Sequence, residues 1–450
     1  MSAGEPRLLS GWGRTAPTLA RVHRPADAAE AVALAERADG RGVLARGLGR
    51  AYGDAAQNAG GEVVEATGLT ALGPVDAERG TVRVGAGVSI EALLRAVVPQ
   101  GWFVPVTPGT AHVTVGGAIA CDVHGKNHHR DASFSAHVED LELWSPAGGV
   151  RTVRPGDEAF AATAGGMGLT GIVLAATLRL LRVRTATVRV DVERAGDLDD
   201  ALGRMAARDD EYRYSVAWID CLARGRALGR SILLRGDHAE PDELPPRRRS
   251  EPLRYAPTAR VGAPRWVPGG LLRPLTVRAF NELWYRRAPR EERGRLESIP
   301  AFFHPLDALR DWNRLYGPRG FVQYQLVVPP GREDALRAAI ERLSRAGAPS
   351  FLAVLKRFGP GGGGLSFPIE GWTLALDVPA AVPGLGALLD GLDELVASAG
   401  GRVYLGKDAR LRPDLLEAMY PDLPRWRAAR ARLDPAGALR SDLGRRLALA

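Results

Sequence analysis

Hydrophobic and polar positions in the first third of the chain repeat with two spacings, one helical and one extended. After Asp27, a favourable helix N-cap, apolar residues recur at helical spacing as far as Ala35. SIEALLRAVV at 89–98 predicts a second helix, whereas TVRVG at 81–85 is typical of a buried strand. VEDLELWSPAGGVRTV at 138–153 predicts a hairpin, because apolar residues alternate on both sides of a Pro/Gly turn. The pattern therefore indicates an α+β fold.

The pattern changes near residue 186, where strand-type runs become dominant. They are VRVDVE (188–193), YSVAWIDCL (214–222), SILLRG (231–236), QYQLVVP (323–329) and GWTLALDVP (371–379), with helical spacing at 331–346 and 385–399. A chain of 450 residues usually divides into two domains. We expect the first over residues 1–185 and a substrate-covering domain, with helices on one face of a sheet, over 186–400.

Composition narrows the class of protein. The apolar fraction of 45% and charged fraction of 25% are those of an ordinary globular chain. No apolar run approaches the roughly 18 residues needed to span a bilayer, and the first residues lack the apolar core of a signal peptide. The two cysteines, Cys121 and Cys221, suit a reducing compartment. We expect a cytoplasmic protein.

Positive charge is concentrated between Pro245 and Pro300. This basic segment contains 13 arginines and five glutamates, a net charge of +8 that equals the charge of the whole chain. Large apolar residues, including Trp266, Leu271, Leu272, Phe280, Trp284 and Tyr285, are interleaved with the arginines. This mixture suits an anionic membrane surface, such as the inner face of the plasma membrane, or a lipid phosphate. A solvated insertion fits equally well, whereas no nucleic-acid-binding motif accompanies the charge.

The chain contains only three lysines among its 60 basic residues: Lys126, Lys356 and Lys407. The other 57 are arginines. Lysine differs from arginine in being a compact charge with a readily shifted pKa. The three positions are therefore candidates for chemistry rather than for surface charge.

Two glycine-rich stretches predict a cofactor site. RGLGRAYGD at 46–54 follows a predicted strand, and its glycines let backbone N–H groups face an anion. PGT at 108–110 and TVGGAIA at 114–120 allow close approach of a flat ring or a pyrophosphate. A third stretch, GGMGLTG at 165–171, has dinucleotide-fingerprint spacing, but a predicted helix precedes it and a strand follows, the reverse of what that fingerprint requires. We therefore expect one large cofactor across the first two stretches.

Four of the eight histidines lie in one stretch, at His124, His128, His129 and His137. His124 and His128 have the i, i+4 spacing of zinc-binding helices, but Gly125 and Asn127 interrupt the helix that such a pair needs. We predict no metal, and instead a polar active-site floor that includes His124 and Lys126.

Several of these runs, together with others along the chain, resemble flavoproteins of the vanillyl-alcohol oxidase and p-cresol methylhydroxylase superfamily, particularly the branch acting on polyprenylphosphoryl-ribose. The matching runs include RGLGRAYGDAAQN, VTPGTAHVTVGGAIACDVHGKNHH, GGMGLTGIV, YSVAWID, FFHPLD, GFVQYQLVVP, LSFPIEGW and GGRVYLGKDAR. The resemblance implies a two-domain p-cresol methylhydroxylase-type FAD-binding fold, with a substrate (cap) domain built on an antiparallel sheet. It also implies that residues 401–450 return to the FAD domain.

The resemblance assigns residues to three roles. FAD contacts are implied for Ala45, Arg46, Gly47, Leu48, Gly49, Arg50, Ala51, Tyr52, Gly53, Asp54, Ala55, Gly109, Thr114, Val115, Gly116, Gly117, Cys121, Asp122, Val123, His124, Ile172 and Tyr404. Substrate contacts are implied for Lys126, Trp218, Gln323, Gln325, Lys356 and Ala375. Lys407, His124 and Tyr52 are implied to be catalytic, with Lys407 as a cation beside the sugar oxygen and flavin and Tyr52 or His124 as the route for the hydroxyl proton.

Two positions depart from the superfamily pattern. Arg50 stands where many members tether FAD through histidine, so the cofactor is expected to be non-covalent. Ala375 stands where related mycobacterial proteins have a pocket cysteine, so the pocket differs from theirs at this position.

The implied reaction is oxidation of the 2-hydroxyl of a polyprenylphosphoryl-β-D-ribose to a ketone, with hydride passing to FAD. A short-chain-dehydrogenase-type keto-reductase partner would then return hydride and complete a 2-epimerisation to the arabinose form. The alternatives are a related sugar, alditol or aldonolactone oxidase, including one of natural-product biosynthesis, and a binding protein without activity.

Overall fold

The computed structural model describes residues 4–38, 40–257, 261–264 and 272–449. Within these ranges, a mixed sheet of strand order β1-β2-β4-β3 and an antiparallel sheet of order β5-β6-β10-β8-β9 form the part before residue 186. Strands β7 and β11 form a separate pair. The strands are β1 (Glu5–Leu9), β2 (Thr18–His23), β3 (Val43–Arg46), β4 (Glu62–Glu65), β5 (Leu72–Asp76), β6 (Thr81–Gly85), β7 (Trp102–Phe103), β8 (Val138–Ser145), β9 (Gly149–Val153), β10 (Ile172–Arg179) and β11 (Leu181–Arg182).

After residue 186 the described chain builds an eight-stranded sheet of order β16-β12-β14-β13-β19-β20-β18-β21. Every neighbouring pair in it is antiparallel. The strands are β12 (Thr187–Ala195), β13 (Tyr214–Ile219), β14 (Ser231–His238), β15 (Val261–Gly262), β16 (Glu291–Ser298), β17 (Leu309–Arg310), β18 (Phe321–Val328), β19 (Ala353–Phe358), β20 (Gly371–Pro379) and β21 (Arg402–Val403), of which β15 and β17 form a separate short parallel pair.

Helices connect and cover these sheets. They are α1 (Ala28–Glu36), α2 (Ile90–Val97), α3 (Val115–Ala120), α4 (His128–Asp131), α5 (Glu158–Thr163), α6 (Leu198–Arg208), α7 (Pro246–Arg249), α8 (Pro274–Arg287), α9 (Ile299–Phe303), α10 (Glu333–Ala346), α11 (Leu385–Ser398), α12 (Pro413–Met419), α13 (Leu423–Leu433) and α14 (Asp442–Arg446). Asp27 caps α1 as expected, accepting the Glu30 N–H at 2.8 Å. Trp372 of β20 donates to Glu333 of α10 at 3.0 Å, so this helix lies on one face of the large sheet and leaves the Ala375 face for the cavity described below.

The last 50 residues connect both parts of the chain. Strand β21 pairs with β18, adding an edge to the large sheet. The chain then runs back to the first sheet, where the Val43 N–H donates to the Ala438 carbonyl at 2.9 Å. Arg446 of α14 forms an ion pair with Asp54 at 2.8 Å. The C-terminal segment therefore ties the glycine-rich loop after β3 to the rest of the fold.

Trp266 and Leu271 of the basic segment lie outside the described residues. The described part of the basic segment packs against the eight-stranded sheet. Strand β16 pairs with β12 along the sheet edge, and the Tyr285 hydroxyl donates to the Ala195 carbonyl at 3.1 Å. Among the described residues, no helix combines the length and apolar character needed to cross a membrane.

Candidate active site

A cavity of about 1390 Å³ lies between the glycine-rich loops and the Ala375 face of the eight-stranded sheet. Single small-molecule sites usually enclose about 300–1000 Å³, so this cavity has room for a dinucleotide and a second ligand together. Loops after β3 and around α3 line one side, and strands β13, β14 and β18 to β20 line the other.

The glycine-rich loops form a cradle, and side chains at the glycine positions would clash with neighbouring residues or take up its space. A Cβ atom at Gly47 would collide with the Thr114 side chain, and one at Gly116 would lie 2.9 Å from the Ala86 Cβ atom. Gly109 lines the cavity and has no atom within 4 Å of its missing Cβ. Thr114 caps α3 by accepting the Gly117 N–H at 3.2 Å. The loops thus present backbone amides and open space to a flat, anionic ligand, which FAD fits.

Unpartnered polar atoms lie in the wall of the same cavity or directly behind it. His124 Nδ1, Gln323 Oε1, Gln325 Oε1 and Thr107 Oγ1 are buried and have no hydrogen-bond partner within the protein. Buried polar groups are rarely left unsatisfied without a reason, because each costs about 1–3 kcal/mol. A bound cofactor and a hydroxylated substrate would satisfy the atoms of His124, Gln323 and Thr107, which are the cavity-lining residues among them.

A chain of hydrogen bonds fixes the protonation of His124. The Thr373 hydroxyl donates to the Leu326 carbonyl at 2.8 Å, so its oxygen accepts from the Gln325 amide at 2.9 Å. The same amide nitrogen lies 2.9 Å from His124 Nε2, which must therefore accept. Burial, reinforced by Lys356 and Lys407, holds the pKa of His124 well below its usual value. His124 is accordingly neutral, with its proton on Nδ1.

All three lysines line the cavity and are half-buried. Lys126 Nζ donates to the Phe302 carbonyl and lies 4.1 Å from the centre of that residue's ring, and Lys356 Nζ donates to the Gly125 carbonyl at 3.3 Å. Burial lowers the pKa of Lys126 and of Lys407 to about 8 and also lowers the pKa of Lys356. The pKa of Lys407 therefore lies well below the ordinary lysine value near 10.4, and both its charged and neutral forms are accessible near neutral pH.

Asp377 is the main residue that sequence reasoning missed. Its buried carboxylate accepts from Gln323 Nε2 and from the Tyr316 hydroxyl, the latter at 3.1 Å. Burial raises the pKa of Asp377 to about 7, and the Lys407 cation opposes that rise. Asp377 in turn raises the pKa of Lys407 against the effect of burial. Its position two residues after Ala375, on the same strand face, was the available signal.

Tyr52 and Arg50 line the cavity from the glycine-rich loop that follows β3. Lys407 Nζ lies 5.7 Å from the centre of the Tyr52 ring, and burial raises the pKa of the Tyr52 phenol. The Arg50 guanidinium stacks on Trp12 at 3.7 Å and donates to the His112 carbonyl at 3.1 Å. An arginine held in this way offers no nucleophile to a flavin.

Most of the residues predicted from sequence line the cavity. They are Ala45, Arg46, Gly47, Leu48, Gly49, Arg50, Ala51, Tyr52, Ala55, Gly109, Thr114, Gly116, Gly117, Cys121, Val123, His124, Lys126, Trp218, Gln323, Lys356, Ala375, Tyr404 and Lys407. Six others lie outside the lining: Gly53, Asp54, Val115, Asp122, Gln325 and Ile172.

These six lie behind the cavity wall. Gln325 reaches the cavity through His124, and Asp54 is paired with Arg446. Asp122 accepts from the Ser133 and Ser366 hydroxyls and holds together the turn before His124. Val115 and Ile172 are core residues, and Gly53 packs against the Asp408 backbone.

The stretch GGMGLTG, set aside as a dinucleotide fingerprint, does reach the cavity. Met167, Gly168 and Gly171 are among its lining residues. Both Met167 and Gly168 have positive φ angles, of 53° and 75°, which makes the tight turn between α5 and β10. The glycines in the sequence were the signal.

The other histidines have structural contacts. His129 Nε2 lies 3.0 Å from the Tyr212 carbonyl, His137 Nε2 lies 2.8 Å from the Asp131 carbonyl, and the His128 ring packs 4.4 Å from the Phe358 ring. In the described part of the chain, no group of three or more His, Cys, Asp or Glu side chains is placed to hold a metal ion.

The α+β fold with its antiparallel sheets, the glycine cradle and the polar cavity face define an FAD-dependent oxidoreductase. A family model described as an FAD binding domain matches residues 17–154, the region that contributes both glycine-rich loops.

The relatives define the family more closely. The chain is 42% identical over 451 residues to decaprenylphosphoryl-beta-D-ribose oxidase of Mycolicibacterium smegmatis, covering 98% of each protein. It is 45% identical over 372 residues, 80% of this chain and all of the relative, to an uncharacterized protein in the mprA 5' region of Streptomyces coelicolor. An alditol oxidase of Streptomyces is 30% identical over 174 residues, which is 38% of this chain and 41% of that protein. This chain belongs to the decaprenylphosphoryl-β-D-ribose oxidase family.

Proposed function

We propose that this protein oxidises the 2-hydroxyl of a polyprenylphosphoryl-β-D-ribose to the ketone, the first half of a 2-epimerisation. The observation that carries the proposal is that all three lysines line one cavity with His124 and Gln323, and that Lys356 and Lys407 lie close enough to His124 to lower its pKa. A phosphorylated sugar supplies the anion for such cations and the hydroxyls for the unpartnered polar atoms. The near full-length similarity to a decaprenylphosphoryl-β-D-ribose oxidase supports the same substrate class.

In this proposal, the groups around the cavity have separate roles in hydride transfer and substrate binding. Bound FAD would accept the hydride. The hydroxyl proton would pass to water in the cavity, because His124 Nε2 already accepts from Gln325 and the raised pKa of Tyr52 keeps its phenol protonated. Lys407 holds positive charge where the sugar oxygen develops negative charge during oxidation. Gln323 accepts a sugar hydroxyl through its free Oε1, because Asp377 holds its amide nitrogen. Lys126 and Lys356 bind the phosphate.

Flavin reduction without oxygen tests the proposal directly. Polyprenylphosphoryl-β-D-ribose should bleach the visible flavin band and yield the 2-keto sugar by mass spectrometry. Xylitol and an aldonolactone serve as the arms for the alditol and lactone alternatives. Bleaching by either of these and not by the lipid-linked ribose would overturn the assignment. If none of the three compounds bleaches the flavin, a binding protein without activity is favoured.

The proposed organisation follows the same function. Residues 1–185 would form the FAD domain, and residues 186–400 would form the substrate domain with the basic segment. Residues 401–450 would return to the FAD domain, and the ion pair between Arg446 and Asp54 supports this last assignment. A short-chain-dehydrogenase-type keto-reductase would consume the 2-keto product, because an epimerisation needs hydride returned to the opposite face.

We predict that FAD is bound without a covalent link. Arg50, stacked on Trp12, occupies the position at which related proteins attach the flavin, and it cannot form that bond. Acid precipitation should therefore leave a colourless pellet and a yellow supernatant. A pellet that stays yellow after washing in denaturant would contradict this expectation.

We also predict that the basic segment binds anionic membranes. Arg247, Arg248 and Arg249 are exposed at α7 and lie outside the cavity lining. Replacing all three with Ser should weaken flotation with anionic vesicles in a salt-dependent way and leave turnover of a short, soluble substrate unchanged. The control replaces the exposed Arg151, Arg154 and Arg226, which removes equal charge elsewhere. Equal loss of flotation in both variants would place the effect in net charge alone.

A further inference from the structure

The cavity face of the eight-stranded sheet changes character along the strand order. On β18 and β20 it is polar, with Gln323, Gln325, Thr373 and Asp377. On β12, β13 and β14 it is apolar, and Val192, Val216, Trp218, Ile232 and Leu234 line the cavity there. These five residues are called the apolar lane below. One continuous surface therefore has a reactive polar end and an apolar end.

Strand register joins the two ends without a break. Ile232 is paired with Trp218, and Trp218 with Val354. Val354 is paired in turn with Ala375, and Ala375 with Gln325, the residue that holds His124. Directly paired side chains on one sheet face lie about 4.5–5.5 Å apart, so this row forms a floor from the lane to the reactive end.

The lane offers no free hydrogen-bonding group to a ligand. Its one polar atom, Trp218 Nε1, already donates to the Phe351 carbonyl at 3.1 Å. A second sugar or a nucleotide would leave hydroxyls unsatisfied on such a surface, which costs free energy. A hydrocarbon chain would not.

Helix α8 lies next to the lane, because the Phe280 ring packs 6.1 Å from the Phe351 ring and the Phe351 carbonyl accepts from Trp218. Phe280 and Trp284 line the cavity, stack on each other at 6.0 Å, and are 44% and 49% exposed. Arg286 and Arg287 at the end of α8 are exposed, and Arg287 lines the cavity. An apolar floor that ends at half-exposed aromatic rings and arginines fits a chain that leaves the protein toward a lipid surface.

We propose that the apolar lane binds the first isoprene units of a polyprenyl phosphate, with the phosphate at Lys126 and Lys356 and the remaining chain leaving past Phe280 and Trp284. This assignment rests on the proposed function and names the part of the protein that selects a lipid-linked ribose over a free sugar phosphate. Each CH₂ group removed from water contributes roughly fourfold in affinity, so even one five-carbon unit is a large determinant.

Binding of farnesyl monophosphate to the FAD-loaded protein tests the lane, because this probe has the lipid and the phosphate but no ribose. Calorimetry should show farnesyl monophosphate binding at least about a hundredfold tighter than methyl phosphate. The double variant Val192→Thr, Val216→Thr keeps side-chain shape and adds two hydroxyls to the lane. It should weaken farnesyl monophosphate at least about tenfold and leave methyl phosphate unchanged.

The matched control is Val188→Thr, Val190→Thr, which changes two fully buried valines of β12 outside the cavity lining. It should lower the melting temperature without changing the affinity for farnesyl monophosphate. If either double variant loses FAD, the single variants Val192→Thr and Val190→Thr give the same comparison. Equal effects of the two double variants on the affinity for farnesyl monophosphate would overturn the assignment of the lane to the lipid. Equal affinity for farnesyl monophosphate and methyl phosphate would do the same. Tight farnesyl binding without flavin reduction by the lipid-linked ribose would instead count against the proposed function alone.

Discussion

Lys407→Ala is expected to slow anaerobic reduction of the bound flavin by at least about a hundredfold while the purified protein stays yellow. Lys407 lines the cavity beside Tyr52 and Gln323, with Asp377 close enough to raise its pKa. If its charge acts mainly on the developing oxyanion, the loss falls on kcat more than on KM. Stopped-flow mixing with the lipid-linked ribose measures the rate directly.

Lys126→Ala is the matched comparison, because Lys126 is equally buried and burial lowers its pKa to about 8 as well. We expect this variant to raise KM and to keep most of kcat, since Lys126 is assigned to the phosphate. Lys407→Arg should recover only part of the rate, because a planar guanidinium cannot occupy the position of one ammonium. A Lys407→Ala variant that reduces its flavin at the parent rate would remove Lys407 from the mechanism.

Elements with strong local periodicity were predicted correctly. Helix α1 and the β8–β9 hairpin fall where the sequence places them, because the cap at Asp27 and the alternation around Pro146 are local signals. Strand β16 was not predicted, since EERGRLES is an edge strand with charged residues on both faces and no apolar alternation. Strand β19 was also missed, because Lys356 and Arg357 interrupt a six-residue run.

The candidate site divides in the same way. The glycine loops and the three lysines could be found from sequence, because glycine and lysine stand out in a chain that otherwise uses arginine. The Asp377–Lys407 interaction and the Thr373–Gln325–His124 chain could not, because they depend on which strands pair and in what register. The apolar lane is hidden for the same reason, since its valines look like ordinary core residues until the strands are aligned.

Asp377→Asn is expected to shift the pH dependence of flavin reduction toward acid. Burial lowers the pKa of Lys407 and Asp377 raises it, and the two effects together give a pKa of about 8. Without the carboxylate, the pKa of Lys407 should fall by about one to three units. The parent rate should decline as pH rises through about 8, as expected if the ammonium form is the active one. In the variant that decline should begin at least about one unit lower, so the rate near neutral pH drops as well.

Asp393→Asn controls for loss of a buried carboxylate. Burial raises the pKa of Asp393 to about 7 as it does for Asp377, and Asp393 accepts a tyrosine hydroxyl, from Tyr324, at 2.9 Å. Like Asp377 it lies outside the cavity lining, but it pairs with Arg410 rather than interacting with a lysine. This control should lower the melting temperature but leave the pH profile of flavin reduction in place. A shift of similar size in both variants would make the Asp377 effect structural.

The direction of the Asp377→Asn effect also separates two roles for Lys407. His124 Nε2 is occupied by Gln325, and burial raises the pKa of Tyr52, so neither is a strong acceptor for the hydroxyl proton. A lysine with a pKa near 8 has a neutral fraction of roughly one tenth at pH 7 and would be the competing base. Lowering that pKa increases the neutral form, so a base role predicts faster reduction at neutral pH in Asp377→Asn, whereas a cation role predicts slower reduction. A faster variant would assign proton removal to Lys407 and refute the electrostatic role proposed for it.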